Sequence, residues 1–93
     1  MRAPLLLVLA LASAASWAAP RSSAARAEFV RANPCPATSE RRGPCPGWQV
    51  DHRLALCAGG EDAPRNMQWL TVEAHGVKTR EDVRACRAQR EQR

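Results

Sequence analysis

Four cysteines in a chain of 93 residues constrain the fold more than any other feature of the sequence. A domain of this size buries little apolar surface, so it depends on cross-links or a metal ion for stability. In an oxidising compartment an even number of cysteines predicts disulfides, and four cysteines allow three pairings. The sequence does not choose among these pairings. We favour Cys35–Cys45, which would close a proline-rich loop, and Cys57–Cys86, which would tie a central loop to the last helix.

A structural zinc site is the alternative use of the cysteines. Such sites usually contain pairs of cysteines with C-x₂₋₄-C spacing, and no two of these four have it. We therefore expect disulfides.

The first eighteen residues have the pattern of an export signal. A basic start, Met1-Arg2, precedes a run from Pro4 to Ala15 in which every side chain is apolar or small. Ser16-Trp17-Ala18 fits a small-x-small cleavage site, and Ala12-Ser13-Ala14 offers a second choice. The run is shorter than the about 20 apolar residues of a transmembrane helix. An uncleaved anchor and an ordinary core helix are the alternatives. We predict a signal peptide at 1–18 and an exported protein, periplasmic or secreted.

Cleavage after Ala18 would leave 75 residues, enough for one domain at 19–93. The chain has a net charge of +5, and without the leader 13 basic and 9 acidic side chains remain. A basic domain suits a polyanionic partner, because clustered Lys and Arg release counterions from phosphates. Charge alone does not identify that partner. For the mature form we expect a monomer without membrane association.

Local patterns predict the order helix, long loop, strand, loop, strand, helix. The first helix would start at Ser22 or Ser23, where a serine can cap it, and end at Ala32 before Asn33-Pro34. Prolines and glycines then predict an irregular loop up to Gly47. Trp48–His52 alternates apolar and polar side chains, which predicts a strand.

A Gly- and Pro-containing loop is predicted from Leu54 to Arg65, followed by a second strand over Asn66–Leu70. Thr71 can cap a helix that runs from Val72 to about Arg90, with room for a break near Gly76 or a restart capped by Thr79. The fold class is therefore α+β.

Several polar residues in this region could carry chemistry, although each also has an ordinary structural explanation. Asp51 offers a carboxylate to a divalent cation, and a neutral His52 can take a proton from water. The alternative is a pair of residues at a strand end that bond to the loop. His75 could be a second metal ligand or an exposed helix residue, and Asn66 could serve only in a turn.

Taken together, these residues resemble the HNH endonuclease family. Its signature is Asp-His at a strand end, Asn in the next segment and His-x-x-Lys-Thr in the helix. The corresponding residues are Val50-Asp51-His52, then a loop with Gly59-Gly60 and Asp62, then Asn66-Met67-Gln68-Trp69-Leu70, then His75-Gly76-Val77-Lys78-Thr79. The likeness covers about 48–82. The stretch from Phe29 through Asn33-Pro34-Cys35-Pro36, with Cys45-Pro46-Gly47, is similar to a small exported bacterial subgroup of the family. It implies a ββα-metal domain, here with an N-terminal helix and disulfide-stapled loops.

The resemblance also implies roles for individual residues. His52 would act as general base, with Asn66 orienting its imidazole or adding a metal ligand. Asp51 and His75 would bind one divalent metal ion, Mg²⁺, Mn²⁺ or Zn²⁺, for hydrolysis of DNA phosphodiester bonds, with RNA as the alternative substrate. Many HNH domains carry two CxxC zinc pairs around this core, and this chain departs from that pattern.

Phosphate contacts and the aromatic residues are less determined by the sequence. The candidates for phosphate binding are Arg53, Lys78, Arg80 and Arg87, each of which could equally be a solvated surface charge. Trp48 and Trp69 could stack on bases, but the scarcity of other aromatic residues favours a place in the core.

Two other classes of function are compatible with the sequence. One is a catalytically silent, disulfide-stapled module that binds nucleic acid or protein, and the other is a metal-binding envelope protein. We favour the enzyme, because a silent module has no chemical need for His52, Asn66 and His75 together.

Overall fold

A computed structural model of the chain describes residues 3–4 and 22–92. Of the predicted signal peptide, only Ala3 and Pro4 are among the described residues, and the rest lies outside them. In chain order the elements are α1 (Ser23–Ala32), β1 (Trp48–His52), β2 (Met67–Thr71) and α2 (Val72–Glu91). Two short 3₁₀ turns, Leu56–Ala58 and Pro64–Asn66, lie between the strands. The predicted α+β class is confirmed.

Both helices begin at the hydroxyl side chains that the sequence predicts as caps. The Ser22 hydroxyl accepts from the Ala25 N–H at 3.1 Å, and the Thr71 hydroxyl accepts from the Ala74 N–H at 3.1 Å. Each bond satisfies a backbone donor that has no partner inside the first helical turn. The predicted ends of α1 and the predicted start of α2 are therefore confirmed.

The possible interruption of α2 does not occur. The helix is continuous through Gly76, and the Thr79 hydroxyl donates to the His75 carbonyl at 2.8 Å instead of capping a new helix. One glycine inside a helix costs about 1 kcal/mol. α2 also contacts β1 and the first 3₁₀ turn.

The predicted start of the second strand is wrong by one residue. Asn66 is the last residue of the second 3₁₀ turn, and β2 runs from Met67 to Thr71. The reason is local: Pro64 begins the turn, and the Asn66 N–H donates to the Ala63 carbonyl at 2.9 Å within it.

The two strands form an antiparallel sheet whose register places Val50 opposite Trp69. Directly paired residues project to the same face of a sheet. On this face Val50, Trp69 and Met67 pack against Phe29 of α1 and its neighbours. The core is small, since none of the large side chains in residues 22–92 is completely buried.

The opposite face of the sheet looks toward α2. Asp51 lies opposite Gln68 in the register, and its carboxylate contacts Lys78 of α2. The sheet is thus placed between the two helices. Within the part of the chain that the structure describes, no helix combines the length and the apolar character needed to cross a membrane.

Two disulfides supplement the small core, Cys35–Cys45 and Cys57–Cys86. This is the pairing favoured above. The first closes the proline-rich loop between α1 and β1. The second joins the first 3₁₀ turn to α2, so it holds the loop between the strands against the helix.

Candidate active site

An open cleft of about 480 Å³ lies where the end of β1, the first 3₁₀ turn and α2 meet. Asp51, His52 and His75 are among its lining residues. Adjacent residues of a strand ordinarily point to opposite faces. Here β1 ends at His52, and both Asp51 and His52 reach the same cleft.

The first feature of the cleft is a pair of side chains that could share a metal ion. The His75 Nε2 atom lies 3.8 Å from Oδ1 of Asp51, across the gap between α2 and β1. A metal ion sits about 2.1 Å from each nitrogen or oxygen ligand, so two ligands of one ion can be up to about 4 Å apart. The donor pair therefore fits a single cation.

The fit is limited to two protein ligands. In residues 3–4 and 22–92 no group of three or more His, Cys, Asp or Glu side chains is arranged to hold a metal ion. Mg²⁺ commonly binds through one or two carboxylates and completes its shell with waters and substrate phosphates. Asp51 is a ligand of this kind, whereas the imidazole of His75 is a ligand that Zn²⁺ also favours, so the pair suits an open, partly hydrated ion rather than a closed structural site.

A lysine competes for the same carboxylate. The Lys78 Nζ atom lies 3.0 Å from Oδ2 of Asp51, and it also donates to the His52 carbonyl at 2.7 Å and to Asp82 at 2.9 Å. Burial disfavours the charged ammonium, but the hydrogen bonds and charges of Asp82 and Asp51 outweigh burial and raise the pKa of Lys78 above its ordinary 10.5.

The predicted phosphate ligands differ in how free their charged groups are to contact a phosphate. Lys78 is only 16 % exposed, and its ammonium would have to leave one of its present partners to reach a phosphate. Arg53 is exposed and donates to the Gln68 side chain at 3.2 Å, while Gln68 in turn donates to Asp51 at 3.0 Å. Arg80 and Arg87 are exposed on α2.

His52 is held by a residue that sequence reasoning did not assign to the site. Its Nε2 atom lies 2.9 Å from Oδ1 of Asp62, and the other Asp62 oxygen accepts from the Ser22 N–H at 2.5 Å. A carboxylate can only accept, so the shared proton belongs to Nε2. The Nδ1 atom of His52 is then left as the proton acceptor.

Asn66 takes part in the site through the loop rather than through the imidazole. Its side-chain oxygen accepts from the Leu54 N–H at 3.0 Å, and its amide donates to the carbonyls of Leu54 and Glu61 at 2.9 and 2.7 Å. These bonds close the loop that carries Asp62. The direct bond to His52 that the resemblance implied is made by Asp62 instead.

The loop is also tightly folded at Gly60. A Cβ atom at this position would overlap the Leu54 carbonyl, so any larger residue would force the backbone apart. The only sequence signals for this arrangement were Gly59-Gly60 and an acidic residue shortly before Asn66. These signals predict a turn, but they do not reveal which side chain the carboxylate meets.

Comparisons with known proteins found no match to this chain among protein-family models, curated proteins or solved structures.

Proposed function

We propose that this chain is a metal-dependent endonuclease of the HNH type, which hydrolyses phosphodiester bonds in DNA. The observation that carries the proposal is the 3.8 Å separation of Asp51 and His75 in a cleft that also contains His52. The consecutive order β1, β2, α2 supports a ββα-metal domain. The two disulfides are compatible with an exported protein.

In this proposal His52 is the general base. The Asp62 carboxylate holds Nε2–H, so Nδ1 is free to accept a proton from the attacking water. Asp62 also stabilises the imidazolium that forms when that proton arrives. Asn66 acts as a positioning residue, because its three bonds keep the Asp62 loop closed over the end of β1.

Asp51 and His75 would hold one Mg²⁺, Mn²⁺ or Zn²⁺ ion, which would supply positive charge beside the scissile phosphate. The buried Asp51 carboxylate is held by Gln68 and Lys78, and a cation that binds it would compete with the Lys78 ammonium. Arg53 and Arg80 are exposed residues outside the lining of the cleft, and in this proposal they would contact phosphates that flank the scissile bond.

A catalytically silent binding module is the second candidate. The Lys78–Asp51 contact favours it, because the ammonium neutralises the carboxylate without any metal. In that case His75 would be a partly exposed helix residue beside a structural ion pair. Metal binding and cleavage distinguish the two candidates directly.

The decisive assay uses supercoiled plasmid and the oxidised protein. We expect nicking with Mg²⁺ or Mn²⁺ that is abolished by a chelator and by His52→Ala, while Arg84→Gln, an exposed arginine of α2 outside the cleft, leaves it unchanged. Equal cutting by His52→Ala would remove His52 from the mechanism. No cutting with any divalent metal would favour the binding module.

Calorimetry of metal binding tests the division of roles. We expect His75→Ala to weaken metal binding more than His52→Ala does, because only His75 faces the Asp51 carboxylate. The reverse order would contradict the assignment of ligand and base.

A further inference from the structure

A second groove, of about 930 Å³, lies between α1, the Cys35–Cys45 loop and the strands. We call it the arginine groove. It is defined by Arg26, Arg31, Arg41, Arg42, Trp48 and Trp69. It has no lining residue in common with the cleft that contains His52.

The charge of the arginine groove is unbalanced. Four guanidinium groups line it against a single carboxylate, that of Glu40. Within residues 22–92 none of the four arginines forms an ion pair, although Arg41 donates a hydrogen bond to the Arg31 carbonyl. Clustered like charges repel one another, and a polyanion that binds among them relieves that repulsion and releases its counterions.

The two tryptophans differ in how firmly they are held. The Trp69 indole donates to the Asn33 carbonyl at 2.8 Å, and its ring centroid lies 5.8 Å from that of Phe29. Trp69 is therefore a fixed wall of the groove. Trp48 is half-buried, and its indole N–H has no hydrogen-bond partner among the described residues. Its ring is the one available for stacking.

We infer that the arginine groove binds single-stranded nucleic acid, with phosphates on the arginines and a base stacked on Trp48. Basic grooves with an aromatic platform favour single strands, because bases in a duplex are already stacked on one another. The arginine groove would give the proposed nuclease a single-stranded substrate, and the choice of nucleic acid as its ligand rests on the proposed function. Trp48 and His52 are the two ends of β1, about 13 Å apart at a rise of about 3.3 Å per residue, so one strand could span both sites.

The test measures binding without cleavage. Fluorescence anisotropy of a short labelled oligothymidine is recorded with the oxidised protein and a chelator, at several salt concentrations. We expect Trp48→Leu to weaken binding about tenfold and Trp48→Phe to keep most of it, because the aromatic face is retained. Arg42→Gln should weaken binding several-fold and lower the salt slope by about 0.7.

Matched controls separate this site from general attraction to polyanions. Arg84→Gln removes the same charge from an exposed position of α2 outside the groove and should leave binding unchanged. Heparin has no bases, so its binding should fall with Arg42→Gln but not with Trp48→Leu. Melting temperatures of all variants show whether each one is folded.

The inference is overturned if Trp48→Leu binds the oligonucleotide as tightly as the unaltered protein, if Arg42→Gln and Arg84→Gln behave alike, or if a duplex of the same length binds more tightly. If the unaltered protein cuts plasmid but does not bind the oligonucleotide, the groove inference fails and the nuclease proposal stands. If it binds the oligonucleotide but does not cut with any divalent metal, the nuclease proposal fails and the groove inference stands.

Discussion

The Lys78 Nζ atom lies 3.0 Å from Oδ2 of Asp51, while His75 Nε2 lies 3.8 Å from the other oxygen of the same carboxylate. An internal ammonium and the proposed metal ion therefore share Asp51. Two cations near one carboxylate repel each other, so Lys78 should lower the affinity of the proposed site for metal. In the absence of metal the same lysine keeps a carboxylate with 5 % exposure from being left without a counter-charge.

Replacing Lys78 by methionine tests this competition. We expect Lys78→Met to lower the free energy of unfolding by about 3 kcal/mol, because a buried charge loses its partner. Mg²⁺ or Mn²⁺ should restore more stability to Lys78→Met than to the unaltered protein, since binding to the folded state alone stabilises it. Urea denaturation with and without metal measures both effects. The control is the double variant Asp51→Asn/Lys78→Met, for which metal should have no effect; an equal metal effect in the single variant and the unaltered protein would contradict competition.

Asp62 should control the rate rather than the affinity for substrate. In Asp62→Asn the amide can donate to Nε2 of His52, which would place the ring proton on Nδ1 and remove the acceptor proposed for the attacking water. We expect kcat for plasmid nicking to fall by about tenfold to a hundredfold with KM little changed. Asp62→Glu should recover part of the rate. Glu61→Gln, a change at the neighbouring exposed acid, is the matched control, and a similar loss in that variant would argue against a specific role for Asp62.

The main effect of Asn66 should be on stability, and its effect on activity should follow from the loop that its hydrogen bonds hold closed. Asn66→Ala removes three hydrogen bonds to the backbone of Leu54 and Glu61, and we expect a loss of about 2 kcal/mol. Faster hydrogen exchange at the Leu54 amide would show that the loop has opened. Gln49→Ala, an exposed change on β1, should alter neither quantity. An Asn66→Ala protein with an unchanged exchange rate but no activity would instead support a direct role at the imidazole.

The two disulfides should contribute unequally. The residues of Cys57–Cys86 are 29 positions apart and those of Cys35–Cys45 are 10 apart. Loop-closure entropy then predicts that the free energy of unfolding falls by about 3.6 kcal/mol in Cys57→Ser/Cys86→Ser and by about 2.7 kcal/mol in Cys35→Ser/Cys45→Ser. Chemical denaturation measures the difference.

Activity should follow the same order, because Cys57 and Cys86 line the cleft and tie the loop to α2. Metal-dependent cutting should therefore fall more without Cys57–Cys86 than without Cys35–Cys45. Equal losses of activity would mean that Cys57–Cys86 does not hold the site.

The sequence by itself determined those features of this protein that depend only on residues close to one another in the chain. Ser22 and Thr71 cap their helices as predicted, because a cap needs only a hydroxyl three residues before an unpaired N–H. β1 has its predicted bounds, since the alternation of apolar and polar residues along five positions matches the period of a strand. The order of the elements followed from the same local signals, whereas the sequence did not choose among the cysteine pairings.

Only the tertiary structure decided which side chains meet across the site. The bond between His52 and Asp62 spans ten positions through a folded loop, and the contact of Lys78 with Asp51 joins β1 to α2. Such contacts depend on the path of the chain through the turns between the elements. The sequence around each of these residues does not indicate which partner it will meet. The arginine groove arose in the same way, because its charges come from a helix and a loop that are brought together by packing and by a disulfide.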